Sequence, residues 1–553
     1  MWQLSGQDAK DTVAWITKQE WSNGEVYSVG ASADGIDAIE ETLANPKQLY
    51  GEWLIWTTAN GHHFVYPGGA YRKDLLLGYF GSLNPVTHGT SSTLVIPETE
   101  NFEAMGPWWY NLTDCRNASD PSAPPGCRYK NIHWPTIMSA GWWDLFSDTM
   151  LDAWVGLREQ GNLTYRDDHV LIVGPLGHNI VADLDMGVLE STRLRAAEVD
   201  ALVVGGLLAS EFWRWRKCSD EWTLNNTCEC QGRVKFGKGN VWSVPKVVRG
   251  SIKCDTQHFD DPLPHVAKEC QCQEATGKLR QRIGRVNLFV MGSFGAEIPT
   301  GAGNYWTSIE DFPKPITTPL YVMGGAALSH RQSSKEGSSS YQYDPKNATP
   351  MIGGDNLPLI GSIKYGGSAD QLPRESRPDV LVFDSLPLED DLPIVGKATA
   401  TVFVSSSAPD TDFFVTVSDL HPESKKSMLV RYGIQRMRWR DSEVVKSEPM
   451  SDGKIYEITI SLGYTAYIFP KGHSIRMSIS SSADPYYVAT SNTGRNDMTT
   501  KGHTIVAQNS VYFAPDRPSR LNLPVVAITD IPENPHFTAV GPFVAARFDE
   551  IVV

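Results

Sequence analysis

A chain of 553 residues is longer than one hydrophobic core supports and predicts two or three domains. With 41% hydrophobic and 20% charged residues it reads as globular, and its net charge of -15 argues against nucleic acid, whose phosphates it would repel. The longest apolar run, around Leu202 to Leu208, is split by glycine and far short of the roughly 20 residues that cross a bilayer, so membrane insertion is not expected.

In chain order, "SGQDAKDTVAWITKQ" predicts a helix, with Ser5 and Asp8 as a capping pair and Val13 and Ile16 on one apolar face. A turn and a buried strand follow in "WSNGEVYSVG", then a helix over 33–44 with Ile36, Ile39 and Leu43 at helical spacing, then the apolar strand "YGEWLIWTT". Residues 66–130, rich in Gly, Pro and aromatics, read as a cap over a site. "TIMSAGWWD" and "DDHVLIVGPLGH" are two more strands separated by the helical "SDTMLDAWVGLREQG", the βαβ rhythm of a parallel sheet. A helix is expected from Leu194 to Trp215, closing an α/β unit over 1–215. Residues 216–282 are Cys-rich and polar and read as an irregular insertion. From "RVNLFVMG" onward short alternating strands split by Gly, Pro, Asp and Asn predict an all-β sandwich over 284–553, with 331–356 as a flexible excursion.

Cysteine usage bears on compartment. Cys115 and Cys127 bracket one loop, and Cys218, Cys228, Cys230, Cys254, Cys270 and Cys272 crowd into one segment, an even count in both places. Sequons at Asn111, Asn117, Asn162, Asn225 and Asn347 lie in similar polar loops. Zinc is the alternative for the C-x-C pairs, but the usual C-x-x-C spacing is absent, so disulfides are favoured. Together these features point to a secreted or secretory-lumen glycoprotein, although "MWQLSGQDAKD" lacks the basic and apolar segments of a signal peptide.

The chemistry centres on "SVGASADGI". Alone, G-x-S-x-x-G is a weak signal, since Ser and Gly are common in turns. Here a strand delivers Ser32 into a helix, as a nucleophile elbow requires, with Gly30 and Gly35 relieving side-chain clashes. The Ala33 N–H at the helix start can donate to an oxyanion, where the helix dipole also favours negative charge. Asp144 ends one later strand and His178 the next, giving the order Ser, acid, His. Asp144 alone would read as a helix cap and His178 as a loop histidine; all three in order at strand ends outweigh both readings.

These segments resemble the X-Pro dipeptidyl-peptidase and cocaine esterase family of acyl hydrolases. "DTVAWITKQEWSNGEVYSVGASADG" is similar to its elbow region, "AGWWDLF" to its acid motif, "VGPLGH" to its histidine motif and "YPGGAYR" to a cap segment. "VNLFVMG", "YQYDPKNATPMIGG", "RPDVLVFDSLPL" and "KGHSIRMSISSSADPYYVATSNTGRN" resemble parts of its C-terminal jelly roll and the approach to it. The resemblance implies an α/β-hydrolase domain with a helical cap, followed by a jelly-roll sandwich, with Ser32 as nucleophile, His178 as base and Asp144 as its orienter. It implies a small acyl ester or Xaa-Pro peptide substrate, calls for no metal or organic cofactor, and leaves the oligomeric state open.

Two departures stand out. The family carries an aromatic directly after the serine, where this chain has Ala33 followed by Asp34, placing a carboxylate near the oxyanion site. The family also has four strands before the elbow, including a second oxyanion donor, so the chain reads as a fragment or truncated gene product. The rival readings are a catalytically inactive family member and a secreted β-sandwich binding protein.

Overall fold

A computed structural model describes residues 5–74, 128–178, 215–274, 283–293, 302–355, 366–442, 445–495, 497 and 502–534. Most of the expected cap, all of the helix expected from Leu194 to Trp215 except Trp215 itself, and the pair Cys115 and Cys127 lie outside the described residues. The chain opens with helix α1 (Ser5–Ile16), strand β1 (Val26–Ala31), helix α2 (Ala33–Ala44) and strand β2 (Leu49–Ile55). A short helix α3 (Gly61–Val65) follows, then β3 (Thr136–Trp143), α4 (Ser147–Gln160) and β4 (Val170–Gly177). Strands β1 to β4 pair in parallel in that order. All eight residues of β3 are buried, as expected of a central strand covered on both faces. On α4, Met150, Leu151, Ala153, Trp154 and Leu157 are buried, and Gly156 lies so close to Tyr129 that an added Cβ would sit 2.2 Å from its ring.

Residues 216–274 are ordered, correcting the expectation of an irregular insertion. Strands β5 (Arg216–Asp220), β6 (Thr227–Lys238), β7 (Val241–Trp242), β8 (Lys246–Lys253) and β9 (Glu269–Glu274) form an antiparallel sheet. Disulfides Cys218–Cys228, Cys230–Cys272 and Cys254–Cys270 join its strands and turns, as the cysteine count predicted. They supply much of a core that, among the described residues, also holds Val234, Phe236, Val248 and Phe259. The sheet grips the first one through polar contacts. Lys235 pairs with Glu25, the Trp215 indole donates to Glu25 Oε2 at 2.6 Å, and Gln273 donates to the Tyr27 hydroxyl at 2.7 Å.

The next two strands return to the parallel sheet. β10 (Val286–Val290) pairs parallel to β4, and β11 (Tyr305–Ile309) closes that edge antiparallel to β10. "VNLFV" is therefore the fifth strand of the hydrolase sheet and not the opening of the sandwich, and the sandwich boundary expected at 284 is corrected accordingly. A fully buried apolar run has the same pattern in either setting.

The sandwich strands are β12 (Ile316–Met323), β13 (Ala327–Ser329), β14 (Gly337–Tyr343), β15 (Leu381–Asp384), β16 (Leu392–Ser406) and β17 (Asp412–Leu420). They continue with β18 (Ser427–Arg436), β19 (Tyr456–Phe469), β20 (Ser474–Ser480), β21 (Ala507–Ala514), β22 (Arg517–Pro518) and β23 (Arg520–Val525). These twelve strands form the C-terminal jelly roll, in which β16 pairs with β19, β21 and β23. The stretch expected to be a flexible excursion contains β14, paired along its whole length to β21 with Tyr341 and Tyr343 buried.

The two cores are continuous. Trp142, Phe289, Met291, Ala466 and Tyr467 belong to one buried apolar cluster. The chain after β10 also hydrogen-bonds into β19, Met291 N–H to Ala466 O and Ile468 N–H to Met291 O, both at 2.9 Å.

Candidate active site

The turn at Ser32 is an elbow. Between β1 and α2, Ser32 adopts φ 56° and ψ -121°, a conformation that costs a side-chain-bearing residue energy and persists only where neighbours hold it. The Ser32 N–H donates to Ile55 O at 3.0 Å, and Thr57 Oγ1 donates to Ser32 O at 2.9 Å. Both glycines of the motif are needed. A Cβ on Gly30 would lie 2.4 Å from Asp34 O, and one on Gly35 would lie 2.5 Å from the Thr57 Cβ. The geometry confirms the tight strand-to-helix passage read from the sequence.

The three residues expected to meet do so. Ser32 Oγ lies 2.8 Å from His178 Nε2, and His178 Nδ1 lies 2.8 Å from Asp144 Oδ2. Ser32 and His178 are half-buried, whereas Asp144 is 2% exposed. The buried carboxylate is divided: Oδ2 faces the imidazole, and Oδ1 accepts the Phe146 N–H at 2.6 Å. With Nδ1–H donating to Asp144, Nε2 is left as acceptor toward the serine hydroxyl. Ala33 is the first residue of α2, so its N–H stands at the positive end of the helix dipole beside Ser32. The Asp34 side chain is exposed, where solvent screens its charge.

Sequence reasoning missed the groups that hold this trio. Phe146 packs edge-on against His178, ring centroids 5.1 Å apart, and fixes Asp144 through its N–H. It lies within "AGWWDLF", but nothing local marks it as a partner of a histidine 32 positions later. Arg431 on β18 is buried and donates to Trp142 O at 2.8 Å while pairing with Asp148 at 2.9 Å. It thereby clamps both sides of the turn that carries Asp144. Beside that turn is a cavity of about 180 Å³, lined by Leu145, Thr149, Arg72, Asp355, Tyr432 and Gln435 among others. Behind the elbow, burial pushes the Glu52 carboxyl up to about 8, with the hydrogen bond from Thr42 opposing the rise and Glu41 adding to it.

Comparison with known proteins identifies the family. The profile of the X-Pro dipeptidyl-peptidase (S15 family) matches residues 1–179, and that of the X-Pro dipeptidyl-peptidase C-terminal non-catalytic domain matches residues 280–522. The chain belongs to the X-Pro dipeptidyl-peptidase and cocaine esterase family. Within that family, it is 26% identical over 565 residues to the cocaine esterase of Rhodococcus sp. (strain MB1 Bresler), covering 94% of this chain and 84% of the esterase. Among solved structures of similar fold is an aminopeptidase from a marine sediment archaeon, Thaumarchaeota archaeon, with TM-score 0.67 and 18% identity, covering 95% of this chain and 80% of that one. Another is an α-amino acid ester hydrolase, with TM-score 0.65 and 20% identity, covering 94% and 80%. Both support the α/β-hydrolase and jelly-roll architecture. Family membership makes this chain one of a family of serine hydrolases.

Proposed function

We propose that this family member is a serine hydrolase that cleaves carboxylic esters through an acyl-enzyme at Ser32. The observation that carries the reading is the unbroken relay of two 2.8 Å contacts from Ser32 through His178 to a buried Asp144, mounted on a strained elbow. His178 Nε2 takes the Ser32 proton as Oγ attacks the acyl carbon, and the tetrahedral oxyanion receives the Ala33 N–H. The ester C–O bond then breaks, and the imidazolium returns the proton to the leaving alkoxide. Water then attacks the acyl carbon as His178 takes its proton, the acyl C–Oγ bond breaks, and the imidazolium returns the proton to Ser32 Oγ as the acid leaves. Asp144 holds the tautomer and stabilises the imidazolium.

Ester rather than peptide substrates are favoured by the likeness to a cocaine esterase over 94% of the chain. A second reading, cleavage after an Xaa-Pro dipeptide, rests on the two matching family profiles. A secretory-lumen or extracellular location is supported by the three disulfides and by exposed sequon residues Asn225 and Asn347. The test compares p-nitrophenyl butyrate with Ala-Pro-p-nitroanilide on the purified chain and its Ser32→Ala variant. A higher kcat/KM on the ester, reduced on the order of a million-fold in kcat by the substitution, is expected. Equal hydrolysis by pure, folded Ser32→Ala protein would remove the assignment, and preference for the anilide would select the peptide reading.

A further inference from the structure

We infer that the jelly roll carries a structural zinc site formed by Asp419, His421 and His473 at its junction with the hydrolase sheet. The ladder explains why the three meet. β17 and β20 are antiparallel neighbours whose last matched pair is Leu420 with Ser474. His421 and His473 are the next residues on each side, so they face one another across the end of the ladder, ring centroids 4.7 Å apart. Asp419 precedes His421 by two positions and so lies on the same face of the strand.

The donor atoms converge. His473 Nδ1 is 2.7 Å from Asp419 Oδ1, His421 Nε2 is 3.7 Å from Asp419 Oδ2, and one ligand atom from each residue lies within 4.8 Å of the others. A tetrahedral ion with bonds of roughly 2.0–2.1 Å needs ligand atoms about 3.3–3.4 Å apart. The present separations bracket that value. Without an ion the same atoms are held by hydrogen bonds: His473 Nδ1 with Asp419 Oδ1 at 2.7 Å, the Tyr467 hydroxyl to Oδ2 at 2.8 Å, and Ser293 Oγ with His421 Nε2 at 3.0 Å. The 3.7 Å between His421 Nε2 and Oδ2 is beyond hydrogen-bond range and close to the span between two ligands of one ion. Ser293 Oγ, 3.0 Å from that same nitrogen, is placed to act as the fourth ligand or to hold a water in that position.

The surroundings suit a cation. The Tyr467 hydroxyl donates to Asp419 Oδ2 at 2.8 Å, orienting the carboxylate as outer-shell donors do at metal centres. The Asp419 side chain is fully buried, whereas those of His421 and His473 are 13% and 10% exposed, which leaves a narrow entry from solvent. Two imidazoles and one carboxylate suit zinc, whereas calcium and magnesium prefer all-oxygen shells. The site would tie β17 and β20 to Ser293, which lies two residues beyond the backbone link from Met291 to β19. Its role is to fasten the sandwich to the hydrolase domain, and it takes no part in the chemistry at Ser32.

The test uses the full chain, stripped with EDTA, dialysed and then supplied with zinc alone. One zinc per chain by elemental analysis after gel filtration is expected, together with a higher melting temperature than in EDTA. Cobalt in place of zinc should give the visible d–d bands of a tetrahedral site. His421→Ala and His473→Ala should each abolish the stoichiometric metal and the thermal shift while leaving ester hydrolysis in EDTA unchanged. His258→Ala, at an exposed histidine paired with Asp255, should retain both. Failure of the wild-type chain to retain zinc would overturn the inference even if a variant did not fold. So would zinc binding that survives both His421→Ala and His473→Ala.

Discussion

Glu52→Gln should change how stability depends on pH, and the structure sets sign and size. Glu52 is on β2, 1% exposed, with Thr42 Oγ1 donating to Oε1 at 2.7 Å. Burial raises its carboxyl from 4.5 to about 8, so the folded protein holds a proton that the unfolded chain has already released at neutral pH. A raised acid contributes stability that is complete below the unfolded value near 4.5 and is lost as pH climbs through about 8. At about 1.4 kcal/mol per unit, that shift amounts to on the order of 5 kcal/mol across the window. Glutamine keeps the shape and the acceptor for Thr42 but cannot ionise. Urea unfolding followed by tryptophan fluorescence, at intervals from pH 5 to pH 9, should therefore show the variant gaining on the wild type as pH rises to about 8 and levelling off beyond it. A difference that stays flat, or that shrinks toward alkaline pH, would refute the claim that Glu52 is neutral in the native state.

Asp144→Asn keeps the packing but withdraws the charge that selects the His178 tautomer, and should lower kcat about 10⁴-fold with KM little changed, as read by steady-state ester hydrolysis. Replacing Cys230 and Cys272 together by serine releases a bridge spanning 42 residues. Loop entropy puts the loss at about 4 kcal/mol, seen as a lower melting temperature under non-reducing conditions with no zinc requirement to account for it.

Much of the candidate site was legible because each member ends a strand, and strand ends are marked by local pattern. Ser32, Asp144 and His178 each follow an apolar run, and the elbow glycines stand at positions where a side chain would strike backbone or Thr57. Phe146 and Arg431 were not legible because their partners are far along the chain and no spacing rule links them. "VNLFV" was assigned to the wrong sheet because burial on both faces erases alternation, leaving pairing to β4 undetermined by the residues themselves. The Cys-rich sheet was hidden for a related reason. In β6 the inward positions begin with Cys228 and Cys230 around an outward Glu229, so cystine stands where a strand pattern would show Val or Ile.

The most direct test of the central claim is covalent. The intact chain is treated with a fluorophosphonate and the adduct is mapped by peptide mass spectrometry, beside His178→Ala. A single adduct on Ser32, formed rapidly in the wild type and nearly lost without His178, is the predicted result, because only a serine with its base in place reacts at useful rates. A folded wild-type chain that stays unlabelled, or an adduct on another residue, would contradict the account.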